Sequence, residues 1–277
     1  MNLVKKLQAQ YGYAWVVLRG LVKTDFRLRY QGSFLGIAWS VLKPLMMFCV
    51  MYVVFGKFLR MSDGTSTYPV VLLLGISSWQ FVTESTSIGL GSVVDRGDRL
   101  GKFHFPNYIV VVSATMGAMI SYAINLVVVL VFALIARVQF TWRVVLLPIN
   151  IIELYAVTLG LTLIMATMYV YFRDIAHIWE VLQQVIFYTM PIIYPLSYVT
   201  DRGGILATLA RMELLNPFAQ AIQDIRHNFI APETQPTIWN QFSNPAVKAI
   251  PIVLTLLCLG LGIYLFRRNS RRFAEVM

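Results

Sequence analysis

The sequence predicts an all-α integral membrane protein. It has six transmembrane helices, both termini in the cytoplasm, an N-terminal amphipathic interface helix, and external helices between spans five and six. Three observations predict this. Of the 277 residues, 58% are hydrophobic and 13% charged, where soluble chains are about 25% charged. A soluble domain so composed would expose apolar patches that soluble monomers avoid. The apolar residues fall into six runs near the ~20 residues a bilayer requires, and Lys and Arg crowd one side of those runs.

The spans are about 34–59, 69–91, 107–136, 144–172, 175–197 and 247–266. The third and fourth are long enough to tilt or to extend past the membrane. Pro44, Pro148, Pro191 and Pro195 lie within spans and are expected to kink or interrupt them. Residues 1–33 form a cytoplasmic N-terminus, and 34–277 a single transmembrane domain whose tail is 267–277. Fourteen Lys and Arg residues fall in the first 33 residues, the loop after span two, the link after span four and the tail. Eight fall in the opposite loops, which are longer in total. This bias places both ends inside.

Other classes are excluded. The net charge is +10, but the basic residues flank apolar runs rather than lining a polar face, so no nucleic-acid partner is implied. The first thirty residues lack the short apolar core of a cleavable signal peptide. Cys49 and Cys258 sit in apolar runs with no disulfide or metal spacing. His104, His177 and His227 make no ligand cluster, so no catalytic or metal site is expected. Gly97 to Lys102 superficially suggests a phosphate loop, but the glycine spacing is short and Phe103 stands where Ser or Thr is needed. The chain is therefore expected to be no enzyme and to bind no cofactor. If ATP energises transport, a partner chain binds it.

Outside the spans, residues 13–30 carry Trp15, Leu18, Val22 and Phe26 on one helical stripe and Arg19, Lys23 and Arg27 on another. A basic amphipathic helix of this kind lies in the membrane interface, as a plain anchor or as a platform for a cytoplasmic partner. The inner loop 92–105 holds Asp95, Arg96, Asp98, Arg99 and Lys102 and reads as a solvated connector or a docking knob. The external region 198–246 carries an apolar stripe of Leu215, Phe218, Ile222, Ile225 and Phe229, with Gln220, Gln223, Asp224, Arg226 and His227 mostly opposite. Asn216 is an expected N-cap and Pro217 the first helical residue. This helix is expected at the outer leaflet, as an anchor or as a cap on a pathway.

Polar groups at membrane depth are few: Lys43, Glu84, Asn125 and Glu153. They are too scattered for an ion relay, though Lys43 and Glu84 carry opposite charge on neighbouring spans and are candidates to pair. Aromatic rings are abundant. Trp179, Phe187, Tyr188 and Tyr194 in span five accompany Gln183 and Gln184. Such rings form packing and interfacial belts, or a track on which a sugar chain slides.

Four segments resemble the membrane subunits of ABC-2-type exporters for polysaccharides, the group serving O-antigen, capsule and teichoic acid export. They are RLRYQGSFLGIAWSVLKPL (27–45, with Gly36, Trp39 and Pro44), DRLGKFHFP (98–106), YFRDIAHIWEVLQQVIFYTMPIIYP (171–195) and LLNPFAQAIQDIRHNFI (214–230). Lys43 departs from the pattern, which often has Asn before that proline. The resemblance implies a homodimer with two cytoplasmic ABC ATPase subunits that bind ATP and Mg. Its implied substrate is a polymer on a polyprenyl diphosphate lipid, and its implied location the bacterial cytoplasmic membrane.

It also implies site residues. Trp39, Phe48, Tyr52 and Phe55 of span one and Trp179, Phe187, Tyr188 and Tyr194 of span five would line a channel at the dimer interface. Arg27, Arg29, Asp95, Arg96, Asp98, Arg99 and Lys102 would dock the ATPase, and Asn216, Pro217, Phe218, Ile222 and Phe229 would form a gate. The competing readings are a small-molecule, drug or lipid exporter subunit, a membrane-embedded lipid-sugar transferase, and a passive scaffold. The transferase reading wants clustered acids or histidines at a membrane face, and the scaffold would not need the charged inner loop.

Overall fold

A computed structural model describes residues 3–60, 65–95, 107–200, 203–230 and 232–273. Among them every regular element is helical. Helix α1 is Leu3–Tyr30, and α2 is Trp39–Met51, entered by a 3₁₀ turn at Gly36–Ala38 and continued by a π-helical segment at Tyr52–Phe58. Then come α3 (Tyr68–Gly91), α4 (Tyr108–Ile135), and α5 (Leu147–Tyr171) behind a 3₁₀ turn at Trp142–Leu146. The rest are α6 (Ile175–Thr189), α7 (Leu196–Thr200), α8 (Gly204–Met212), α9 (Pro217–Phe229), α10 (Ile238–Gln241) and α11 (Pro245–Asn269).

Four helical stretches among the described residues are long and apolar enough to cross a membrane: Gly36–Phe58, Tyr108–Ile135, Trp142–Tyr171 and Pro245–Asn269. They match the first, third, fourth and sixth predicted spans. The second predicted span is α3, whose 24 residues suffice in length but carry Ser77, Ser78, Gln80, Thr83, Glu84, Ser85, Thr86 and Ser87. It is the central helix. Every residue from Val70 to Trp79 is buried, as expected of a helix packed on all sides. Helices α4 and α5 pack against α3.

The fifth predicted span differs more. Helix α6 has 15 residues, about 22 Å at 1.5 Å per residue, short of the ~30 Å hydrocarbon core. It stops before Pro191, where Met190 is extended at φ −71°, ψ 150°. The residue before a proline avoids the helical region, and Pro191 and Pro195 withhold two N–H donors.

The other prolines behave differently. Pro148 starts α5 rather than interrupting it, the position where a missing N–H costs nothing. Pro44 lies inside α2 and the helix runs through it. The carbonyl that Pro44 cannot bond, four residues back at Ser40, accepts instead from Asn125 Nδ2 of α4 at 3.1 Å. One isolated polar residue of the third span thus repairs the backbone of the first. Pro251 is a further interior proline, in α11.

Helix α1 packs on α4, with Leu18, Val22 and Phe26 half-buried and Arg19, Lys23 and Arg27 exposed. That is the face distribution its two stripes predict, except at Trp15, which is 62% exposed. Asp25 accepts from Ser113 Oγ of α4 at 2.7 Å. Helices α5 and α11 cross closely at two glycines, since a Cβ on Gly262 would stand 2.4 Å from the Gly160 carbonyl oxygen. Small residues permit such approach where lipid supplies no hydrophobic drive for packing.

Candidate functional site: a charged cleft between four helices

The C-terminal end of α1 and helices α2, α3 and α6 enclose an open cavity of about 560 Å³. Its walls are polar where a bilayer helix is normally apolar. Helix α2 and the link before it contribute Ser33, Trp39, Ser40, Lys43 and Pro44. Helix α3 contributes Gln80, Thr83, Glu84, Ser87 and Ile88, α1 contributes Arg29, and α6 contributes Gln183. Gln80, Thr83, Glu84 and Ser87 recur at helical spacing, so one stripe of the otherwise buried α3 faces the cleft.

Three charges meet here. Arg29 Nη1 pairs with Glu84 Oε1, and both side chains are largely buried, 17% and 18% exposed. Ser121 of α4 also donates to Glu84, at 3.4 Å. The direct partner of Glu84 is Arg29, reaching in from the last turn of α1; Lys43, suggested by sequence, lines the same cleft exposed and acts on Glu84 electrostatically without a direct ion pair. Among the described residues Arg29–Glu84 is the one ion pair. Gln183 Nε2 donates to Ser87 Oγ at 2.9 Å and ties α6 to α3.

The aromatic candidates separate by position. Trp39 is half-buried and lines the cleft. Phe48 is buried, stacks on Tyr52 at 5.7 Å and meets Phe132 edge-on at 6.2 Å. Phe55 packs half-buried against the same core. Trp179 is buried and donates from Nε1 to Thr86 Oγ1 at 2.9 Å. Phe187 is buried, with Tyr188 edge-on at 5.3 Å. Tyr188 is 56% exposed, and Tyr194 donates its hydroxyl to the Thr189 carbonyl at 2.8 Å, bridging the broken end of α6.

Of the expected docking residues, Arg27 and Asp95 are exposed. Arg29 is turned inward to Glu84, because an unpaired carboxylate at that depth is costly. Arg96, Asp98, Arg99 and Lys102 lie outside the described residues.

At the opposite end of the bundle, α9 begins as its sequence predicts. Phe218 N–H donates to Asn216 Oδ1 at 3.0 Å, and Pro217 opens the helix. Phe218 meets Trp79 edge-on at 6.5 Å. Ile222 and Phe229 are buried, and Phe229 lies 5.7 Å from Phe140.

Helix α9 is enclosed by the rest of the chain. Every residue from Ala219 to Phe229 is buried, and the polar face is buried against partners that sequence alone does not reveal. Arg226 donates to the carbonyls of Pro191 and Ile192 in the break after α6. Asn228 Nδ2 donates to Asn150 Oδ1 at 2.9 Å. Gln220 Nε2 and Trp239 Nε1 both donate to Asp224 Oδ2, at 2.5 and 3.0 Å.

His227 Nδ1 lies 2.8 Å from the Gln235 carbonyl and Nε2 2.5 Å from Arg143 Nη1. That geometry assigns the proton to Nδ1, with Nε2 accepting from the guanidinium. Burial, then the adjacent Arg143, push the imidazole pKa down. Burial pushes Asp224 up to about 6 and Arg226 down to about 10, so Arg226 keeps its charge at neutral pH.

The described residues form a helical membrane bundle with a charged cleft between four of its helices. Residues 17–230 match the ABC-2 type transporter family, and the chain belongs to it. It is 28% identical to an O-antigen export system permease protein RfbA of Myxococcus xanthus, over 99% of both chains. It is 24% and 23% identical to two proteins of that name from Klebsiella pneumoniae, over 98% of this chain and 99% of theirs.

Proposed function

We propose that this chain is the permease subunit of an ATP-driven exporter that carries a polyprenyl-diphosphate-linked polysaccharide, of O-antigen, capsule or wall teichoic acid type, across a bacterial cytoplasmic membrane. The observation that carries the reading is the charged cleft of Arg29, Lys43 and Glu84 in a chain similar from end to end to O-antigen export permeases. An apolar bundle tolerates such groups where a polar cargo must pass.

In this reading the four long apolar helices, the buried α3 and the broken α6 act as six spans, with both termini inside. Two copies pair through the faces of α2, its π-helical continuation and α6, which expose Met46, Val50, Val53, Val181 and Val185. A symmetric pair builds a wider pathway than one bundle can. Two ABC ATPase subunits bind ATP and Mg and dock at the 92–105 loop and α1. Helices α8 and α9 form the outer gate.

The test is a cell lacking the chain. Lipid-linked polymer should accumulate inside and return to the surface on complementation. In the reconstituted complex with its ATPase, hydrolysis should rise with lipid-linked polymer. Stimulation by small amphipathic drugs alone would sink the polysaccharide reading.

A further inference from the structure

The cleft holds two cations and one anion, and they are not equivalent. Arg29 is spent on Glu84, so that pair is neutral toward a ligand. Lys43 is exposed on the cleft wall; it acts on Glu84 electrostatically but makes no direct ion pair with it. Arg29, Lys43 and Glu84 together leave the cavity with one net positive charge.

Its depth is fixed by helix geometry. Lys43 lies seven residues into the helical stretch that begins at Gly36, and Glu84 seven residues before the end of α3 at Gly91. At 1.5 Å per residue both stand about 10 Å from the helix ends. Gln183, eight residues into α6, lies at a similar depth, about 12 Å.

A lone ammonium within a membrane helix is costly unless water or an anion meets it. The same cavity is lined by Gln80, Ser87 and Gln183. Ser87 accepts from Gln183, which leaves the Ser87 hydroxyl proton, a second Gln183 N–H and the Gln80 amide to donate to an acceptor-rich anion. Phosphate oxygens suit that set, and the cavity falls within the ~300–1,000 Å³ range of small-molecule sites. Ile88, which is exposed, and Pro44 add apolar surface to the lining, which suits an attached hydrocarbon.

We infer that Lys43 and the cleft around it form a seat for the diphosphate head group of a polyprenyl lipid. Lys43 is the charge that selects it, and Arg29–Glu84 is the neutral wall that keeps the seat open. The inference rests on the permease reading and adds to it the part of the substrate held and the residue that holds it.

The experiment uses the full chain purified in detergent, with bound lipid read by native mass spectrometry and the fold checked by thermal midpoint. The probes are a long-chain polyprenyl diphosphate, phosphatidylglycerol and inorganic diphosphate. The wild-type chain should hold the polyprenyl diphosphate. Lys43→Asn should weaken it about ten- to a hundredfold, the loss of one charge-assisted contact, while Lys43→Arg stays within a few-fold. If Lys43→Asn fails to fold, Lys43→Gln takes its place.

Equal retention by wild type and the neutral variant overturns the inference. So does displacement by phosphatidylglycerol at equal concentration, which would mark a general phospholipid seat. Inorganic diphosphate binding as tightly as the lipid overturns it too, in favour of a free-anion site. In any of these cases export by complemented cells still tests the permease reading separately. Normal surface polymer in cells lacking the chain would sink that reading whatever Lys43 binds.

Discussion

The guanidinium of Arg226 occupies the space that a side chain on Gly75 would need. A Cβ built at Gly75 stands 1.8 Å from Arg226 Nη2 and 2.5 Å from its Cζ. One buried cation thereby joins the central helix α3, the break after α6 and the outer helix α9. Gly75→Ala should expel the guanidinium from its carbonyl partners and destabilise the fold by about 3 kcal/mol, the scale for uncoupling a buried charge. Arg226→Met alone should also destabilise, since it orphans two carbonyls. The pair together should cost less than the sum. Thermal unfolding of the four proteins in detergent checks this, and strict additivity would refute the shared slot.

Asn125 and Pro44 make a second pair. Asn125→Leu removes the donor to the Ser40 carbonyl and should cost about 1–3 kcal/mol, the usual price of an orphaned buried acceptor. Pro44→Ala restores a backbone N–H to that carbonyl. In the Pro44→Ala background, Asn125→Leu should therefore be milder. A double-mutant cycle by thermal midpoint measures the coupling.

Asp224 predicts a pH dependence. Its pKa in the fold, about 6, stands above the ordinary 3.8, so the folded chain holds this proton more tightly than the unfolded one. Its contribution is most favourable below about pH 4, weakens as pH rises to 6, and is lost above that. The span is worth up to about 3 kcal/mol. Buried His227 acts in the opposite sense, favouring the fold as pH rises toward 6.5. Asp224→Asn isolates the two: it should be more stable than wild type at pH 7.5 and should lose the decline between pH 4 and 6. A variant no more stable than wild type at pH 7.5 would contradict the assignment.

Trp179 and Tyr188 lie on the same short helix and should respond differently. Trp179 is buried and hydrogen-bonded to Thr86, so Trp179→Ala should cost about 3–5 kcal/mol. Tyr188 is 56% exposed, and Tyr188→Ala should leave the thermal midpoint within about a degree or two. On the proposed function, Tyr188→Ala should still slow export of long chains several-fold, measured as surface polymer length. Normal export would remove Tyr188 from the pathway.

The proposed topology is open to cysteine labelling. In a Cys49→Ser, Cys258→Ser background, Ser243→Cys should react with an impermeant maleimide on intact cells. Thr24→Cys in α1 should react only after permeabilisation. The reverse pattern would invert the protein in the membrane.

Much of the fold was legible because membrane helices announce themselves by composition. The four long apolar helices match their predicted ranges within a few residues, since a bilayer demands apolar length and little else. The cap at Asn216 and the Pro217 start of α9 were legible for a similar reason: capping is local chemistry. The site was less so. Glu84 was marked as costly at membrane depth, which is a property of one residue. Its partner was not, because Arg29 lies fifty-five residues away and reaches Glu84 only when α1 folds back onto α4. Rings in spans one and five read alike in sequence, yet packing buries Phe48, Trp179 and Phe187 and leaves Tyr188 outside.

By itself the sequence determined that this chain lives in a membrane, where most of its helices lie, and that Lys43 brings a charge into the first one. Those follow from hydropathy, local caps and residue identity, which act over a few turns of chain. Helix packing settled that α9 is enclosed by the chain, that Asn125 repairs the helix at Pro44, and that Glu84 takes Arg29 rather than Lys43 as its direct partner. Each is a contest among distant polar groups for partners in a low-dielectric interior, and proximity, which the packing of helices alone sets, decides which of them wins.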